Sequence, residues 1–435
     1  MHKKCYVLVL VIAIFFSCLS GCYDAREIDD EVYAISIGVD KGVNNKLRLT
    51  VQYPTYKGGS EGSSGGGQDQ SGIQSKNVQE GSNINTIEAP TVLEGIDMLS
   101  MAISRRVSLF HTKCLIFSED FAKLGVEGYM GGFERFRETR TTMSIIVTKG
   151  KAEDFIKESK SYIGSSLSKS IELLLAQSGI SGFFPQIEFS EFYRNLSSTY
   201  KQPIALYGGV NDFKNLKEED VENPPLVAGK GFLPGQLPRR GVSKRELVGI
   251  AIFDGGKMVG SLDSYETTYY MMLTGNFKNG IVSIPDKYSP EHAIIFNLHN
   301  SRKPKVKAYF KDGKPVIDLR IAMESEIYAI QSRMNYEKLS MEEDIESQIE
   351  EFLLKGMNDA IKKTQKQYGV DIFGFGGWMA GNFFTIDEWE NYNWLSHYKD
   401  AAINLDLHVD VRRTGLIFNS EPIFTIKGKE QRTTK

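Results

Sequence analysis

Cys22 closes the run Leu19-Ser20-Gly21-Cys22, and its setting points to thioether chemistry. The small residues before it let the backbone enter a peptidase active site, and the thiol can then take up a lipid. Other residues of reactive type lack such a setting. Gly58-Gly59-Ser60-Glu61-Gly62 matches G-x-S-x-G, but it lies in a Gly/Ser-rich stretch and not at a strand-to-helix elbow, so a nucleophile there has no fixed geometry. Asp406, His408 and Asp410 alternate along one predicted strand. Alternate strand residues stand about 7 Å apart, too far for three ligands to close on one ion without a second element. Gly374-Phe375-Gly376 opens a dinucleotide-type glycine run, yet Met379 holds the third glycine's place. His111, His292, His299 and His397 show no partner spacing, and Cys114, inside an apolar run, reads as a small buried strand residue. The residues therefore predict no catalytic constellation, no metal site and no cofactor.

The element that positions Cys22 is a leader. Lys3-Lys4 forms a basic head, and the apolar run from Cys5 to Leu19 follows it. Those fifteen residues cover only about 22 Å as a helix, short of the roughly 30 Å hydrocarbon core. Length and flanks fit a secretory signal, and the last four residues resemble the bacterial lipobox. An uncleaved anchor with an incidental cysteine is the alternative, which the short run disfavours. Cleavage before Cys22 would leave a diacylglyceryl group as the membrane anchor, and its two acyl chains hold stably where one is marginal.

The remainder has the composition of a globular protein. Of 435 residues, 41% are hydrophobic and 25% charged, and 52 Lys plus Arg against 55 Asp plus Glu leave a net charge of -3. No bulk positive field exists to hold a polyanion, which argues against nucleic acid. Ile35, Ile37 and Val39 alternate, as do Leu47, Leu49, Val51 and Tyr53, predicting a half-buried hairpin. Val92, Ile96, Leu99 and Ile103 predict an amphipathic helix, Glu119 to Arg140 a helix broken at Gly131-Gly132, and Cys114 to Phe117 and Met143 to Thr148 two strands. A long helix over 341–368 follows a capping box of Ser340 and Glu343 and can stop at Gly369. Without a regular β-α-β rhythm the pattern favours α+β, in mixed α/β domains with largely antiparallel or mixed sheets. The expected division is a leader over 1–21, an N-terminal α+β domain over 22–205 with a disordered Gly/Ser-rich insertion at 57–87, a small middle α+β domain over 206–280, a C-terminal α+β domain over 281–420 and a tail over 421–435.

Several segments, taken in order, resemble the C subunit of the bacterial spore-germination nutrient receptors. They are Gly21-Cys22-Tyr23-Asp24-Ala25-Arg26-Glu27-Ile28-Asp29-Asp30 leading into Ile35 to Asp40, then Phe110-His111-Thr112-Lys113 and Arg137-Glu138-Thr139-Arg140. Leu247 to Phe253 with Lys257 to Gly260, Tyr368 to Gly376, Trp389, Trp394 and Val411-Arg412-Arg413-Thr414-Gly415 complete the series. Tyr23 stands where the family usually has Trp, and the 57–87 segment is longer than the family leads one to expect. The resemblance implies three mixed α/β domains without enzymatic activity. It also implies a lipoprotein on the outer leaflet of the inner spore membrane, working beside two integral-membrane subunits of A and B type. Arg137 and Arg140 are then a patch for partner contact or, alternatively, a solvated helix face. A lipid-anchored solute-binding protein that captures the nutrient itself is the competing function; it ordinarily needs two lobes around a cleft.

Overall fold

A computed structural model describes residues 27–55, 81–161, 166–217, 221–222, 224–417 and 419–420, with residues 6, 424–425 and 428–429. The chain enters through β1 (Glu31–Tyr33) and makes the expected hairpin of β2 (Ser36–Lys41) and β3 (Leu47–Pro54), with Val39 opposite Leu49. The next strand, β4 (Ser82–Ala89), pairs with β3. Most of the stretch expected as a 57–87 insertion lies outside the described residues, but residues 82–87 are strand, because Ile84 and Ile87 supply the apolar contacts that a Gly/Ser run lacks. Thr91 caps α1 (Val92–Ile103), accepting from the Glu94 amide, and β5 (Arg106–Ser108) returns beside β1.

Two β-α-β passages build the centre of the sheet. From β6 (Cys114–Ser118) the chain runs through α2 (Glu119–Leu124) and α3 (Glu127–Arg135) to β7 (Ser144–Lys149). The helical stretch breaks at Gly125, which stands at φ +121°, and not at Gly131-Gly132, which lie inside α3. Next come α4 (Ala152–Lys157), α5 (Leu167–Ala176), α6 (Ser178–Ser181), α7 (Phe189–Leu196) and β8 (Ile204–Val210), then the hairpin of β9 (Arg245–Asp254) and β10 (Lys257–Leu262). Among the described residues eight strands order as β10-β9-β8-β7-β6-β2-β3-β4, with β2, β6, β7 and β8 parallel. The hairpin expected to be half-buried is buried on both faces, since helices cover each side. Gly38 leaves room for α4, where an added Cβ would stand 2.7 Å from Ile156 Cδ1. The Asp40 carboxylate, on that same face, accepts from the Ala152 and Glu153 amides at 2.8 and 3.0 Å.

A second sheet follows α8 (Ser264–Thr274), which a capping box of Asp263 and Glu266 starts and Gly275 ends. Its strands are β11 (Gly280–Asp286), β12 (Ser289–Asn300), β13 (Lys305–Lys311) and the long β14 (Lys314–Ile330), ordered β11-β12-β14-β13. The long helix α9 (Glu342–Lys362) buries Ile345, Ile349, Leu353, Met357 and Ile361, as the periodicity predicts. The expected Ser340 capping box does not form: a 3-10 turn over Leu339–Met341 precedes the helix, and Met341 is its N-cap. A π-helical turn, Lys363–Tyr368, extends it to Gly369 at φ +71°. After α10 (Phe375–Met379), α11 (Ile386–Tyr392) and α12 (Trp394–His397), β15 (Ala402–Arg413) adds in parallel to β14.

The fold class is α+β, as the sequence predicts, but the sheet does not end near residue 205. That position lies inside β8, and β9 and β10 of the expected middle domain extend the first sheet. Side-chain alternation sends Ile37, Val39, Phe117, Val147, Tyr207 and Phe253 to one core under α1, α3 and α7. The opposite face, with Ile116, Ile146, Leu206, Ile250 and Ile252, merges through α8 into the core of the second sheet.

Candidate functional site

Leu19, Ser20, Gly21 and Cys22 lie outside the described residues, and Glu27 opens the continuous description five positions beyond Cys22. The segment that follows is held in place by a shared cation. Arg106 Nη1 lies 2.9 Å from Glu31 Oε1, and Arg106 also pairs with Glu138. Both carboxylates are buried. Glu138 Oε2 in turn accepts from the Leu109 amide at 3.1 Å. This network draws together two segments separated in sequence, 109–113 and 136–140. Tyr33 meets the His111 ring edge-on at 4.7 Å, and Phe110 is half exposed.

Arg137 and Arg140 are both exposed and flank Glu138. They sit beyond the end of α3, in a turn rather than on the helix face that their spacing suggests. Arg140 borders a cleft of about 220 Å³ with Lys113, Thr142, Glu172 and Gln186, in which Lys113 Nζ stands 2.5 Å from Glu172. A second open cleft, about 570 Å³, lies between the entering chain and the sheet, lined by Ile28, Tyr33, Thr55, His111 and Leu167. Both clefts sit at the end where the parallel strands begin, and polar groups, cations and aromatic edges line them.

Among the described residues no group of three or more His, Cys, Asp or Glu could hold a metal ion. Gly58 to Gly62 lies outside them. On the outer face of β15, Asp406 pairs with Arg320 at 2.7 Å, and His408 stands between Glu350 and Asp410 at 3.3 and 3.1 Å. Cys114 is fully buried, and burial pushes its thiol up to about 12.

The seam between the sheets is organised by a residue whose role the periodicity does not reveal. Asp371, wholly buried, accepts from the Phe373, Gly374 and Gly376 amides at 2.9, 2.8 and 3.0 Å and from the Trp394 indole at 2.9 Å. Burial still outweighs these four donors and raises its pKa to about 6. The Asp371 carbonyl accepts from the Gln202 amide at 2.7 Å, joining the second half of the chain to the strand end before β8. Beside it Lys201 Nζ reaches Glu191 at 3.2 Å. Tyr270, Glu191 and Asp371 hold the Lys201 ammonium above the ordinary lysine value despite its burial. The signal legible in sequence is an Asp followed by Gly at the third and fifth positions, the pattern of a carboxylate bonding its own backbone ahead of a turn.

Comparison with known proteins places these features in a lineage. Residues 24–209 match the model of the spore germination protein N-terminal domain, and residues 248–415 match "Spore germination B3/ GerAC like, C-terminal". Spore germination protein KC of Bacillus subtilis is 24% identical over 431 residues, covering 96% of this chain and 97% of its own. Spore germination protein GerQC of Bacillus cereus is 22% identical over 419 residues, covering 95% and 99%. The crystal structure of the GerBC protein superposes with a TM-score of 0.51 at 15% identity, over 89% of this chain and 99% of that one. The sequence models part between 209 and 248, close to the expected boundary at 205, whereas the hydrogen-bonded sheet runs across that gap.

Proposed function

We propose a function from the premise that this chain belongs to the GerAC-like family of spore germination proteins, as a C-subunit-type member carrying both of the family's domains. Our reading is a lipid-anchored, non-enzymatic subunit of a nutrient receptor, held on the outer leaflet of the inner spore membrane beside two integral-membrane subunits. One observation carries it: the N-terminal family match begins at residue 24, two positions beyond the Cys22 of Leu19-Ser20-Gly21-Cys22. The family domain thus starts where lipobox cleavage would start the mature chain. No helix among the described residues is long and apolar enough to cross a membrane. In this reading the diacylglyceryl group on Cys22 supplies the attachment.

The work of such a subunit is contact. Confinement in one bilayer raises the effective concentration of neighbours, so modest surfaces suffice. Arg137 and Arg140, exposed on either side of Glu138, whose carboxylate accepts from the Leu109 amide, are the patch we assign to that contact. Mass spectrometry of the membrane-extracted protein tests the anchor, with a diacylglyceryl-Cys22 N-terminus expected and a chain beginning at Met1 overturning it. Germination of a deletion strain tests the role: the response to one set of nutrients should vanish while non-nutrient germination persists. Tight nutrient binding by the chain alone would instead favour the solute-capture function.

A further inference from the structure

The stretch from α10 to the first turn of α11 turns large apolar side chains to solvent on a backbone fixed from beneath. Phe384 is 99% exposed, Ile386 73% and Trp378 56%. The neighbouring Phe383 points inward instead, packing on Phe310, Trp389 and Tyr392 with ring centroids 5.8, 5.4 and 5.2 Å away. Asn382 Nδ2 donates to the Ala308 and Met379 carbonyls, both at 3.1 Å. The Glu388 carboxylate accepts from the Thr385 amide at 3.4 Å, which closes the capping box of α11, and also from the Phe384 amide at 3.0 Å. A residue just before an N-cap commonly folds back onto the first helical turn. Here Phe383 takes that contact, and Phe384 is left outside. Apolar area presented on so constrained a loop costs little entropy to bind, the property of an interface anchor.

Charge selects the occupant. Asp387, Glu388 and Glu390 are exposed around the apolar tip, and the sequence from Asp371 to Tyr398 contains no Lys or Arg. Lys305, Lys307 and Lys311 of the adjacent β13 alternate onto the face opposite Phe310, away from the loop. An acidic rim disfavours an anionic lipid surface and suits an apolar pocket bordered by basic residues on a protein. Position narrows it further: Trp389 Nε1 donates to Thr199 Oγ1 at 2.9 Å, just before β8. That contact fixes the loop at the end of the first sheet where the parallel strands begin, the end at which residues 27–33 enter.

We infer that Phe384 and Ile386 dock into a basic-rimmed apolar pocket on the outward surface of an integral-membrane receptor subunit. This rests on the receptor reading above. The test uses the full chain in its own membranes, solubilised in mild detergent and recovered through a tagged A-type subunit. Phe384→Ser with Ile386→Ser should lower recovery at least about tenfold, and Asp387→Lys with Glu390→Lys should lower it also. Val43→Ser, at another exposed apolar position, should leave it unchanged. Equal recovery of the serine double variant and the wild type overturns the docking site while leaving the receptor reading intact. A wild-type chain recovered with neither subunit removes both. A photoreactive p-benzoylphenylalanine at position 384 separates the occupants: an adduct with a membrane subunit supports the proposal, and adducts only with phospholipid or a second copy of the chain overturn it.

Discussion

At the scale of single residues, Asp371 and Cys114 show how burial sets chemistry. Asp371→Asn keeps the shape but replaces one acceptor oxygen with a donor facing N–H groups, so a loss of about 2–4 kcal/mol in unfolding free energy is expected at pH 7. The pH dependence has a definite sign. The folded pKa of about 6 lies above the ordinary 3.8, so between those values the native state holds a proton that the unfolded chain has released. Stability from this group is therefore present in full below about pH 4 and is lost as pH rises to about 6. Urea unfolding should show the gap between wild type and Asp371→Asn widening from pH 7 to pH 5; a narrowing gap would mean that the four donors keep the carboxylate charged. The Cys114 thiol, pushed up to about 12 inside β6, should resist alkylation in the native protein and react fully in denaturant. Rapid labelling of the folded chain at Cys114 would contradict its burial.

Among the elements, the entering segment depends most on one side chain. Arg106 stands between two buried carboxylates, and Arg106→Ala would leave Glu31 and Glu138 without their shared cation, a cost of about 3 kcal/mol. Because among the described residues β1 pairs only with β5, the damage should be local. Hydrogen exchange at Tyr33 and Leu109 should accelerate far more than at Val39 or Leu115 in the central strands. Uniform acceleration would mean that the network supports the whole sheet. The glycines near the seam make a second comparison: an added Cβ at Gly369 meets nothing within 4 Å, whereas at Gly376 it stands 2.3 Å from Trp394. Gly369→Ala should cost about 1 kcal/mol through its positive φ alone, and Gly376→Ala more, by displacing the indole from Asp371.

For the molecule as a whole, the apolar core shared by both sheets implies one unfolding transition. The α8 helix is buried along nearly its whole length between them, and Gln202 and Asp371 join the two halves through backbone. Calorimetry of the full chain should therefore give a single peak, with two resolved peaks expected only if the seam were loose. Ending the chain at residue 209, where the first family match stops, would strip β9 from the β8 edge and expose the face that Ile250 and Ile252 cover. That shortened chain should aggregate rather than fold.

The sequence by itself determined the elements whose cause is local. Alternation in Leu47 to Tyr53, the apolar face of α9 and the stop at Gly369 depend on residues a few positions apart, and period two or 3.6 is imposed by backbone geometry alone. The order of family segments from Gly21 to Gly415 was legible for the same reason, as was the buried place of Cys114. Tertiary structure alone decided what depends on distant partners. Ser36, Asp40 and Gln52 became buried because helices arrive on their face from more than a hundred residues away, as the Gln52 bond to the Ser159 carbonyl shows. Residue 205 became the middle of a sheet because β9 closes on β8 across a gap of more than thirty residues. Arg137 and Arg140 left the helix that their spacing suggests because α3 ends at Arg135 and Glu138 turns inward to Arg106. Asp371 gained four donors, and Phe384 was left exposed, through contacts that no periodicity encodes: a carboxylate buried by a second sheet and a ring displaced outward by its neighbour's packing.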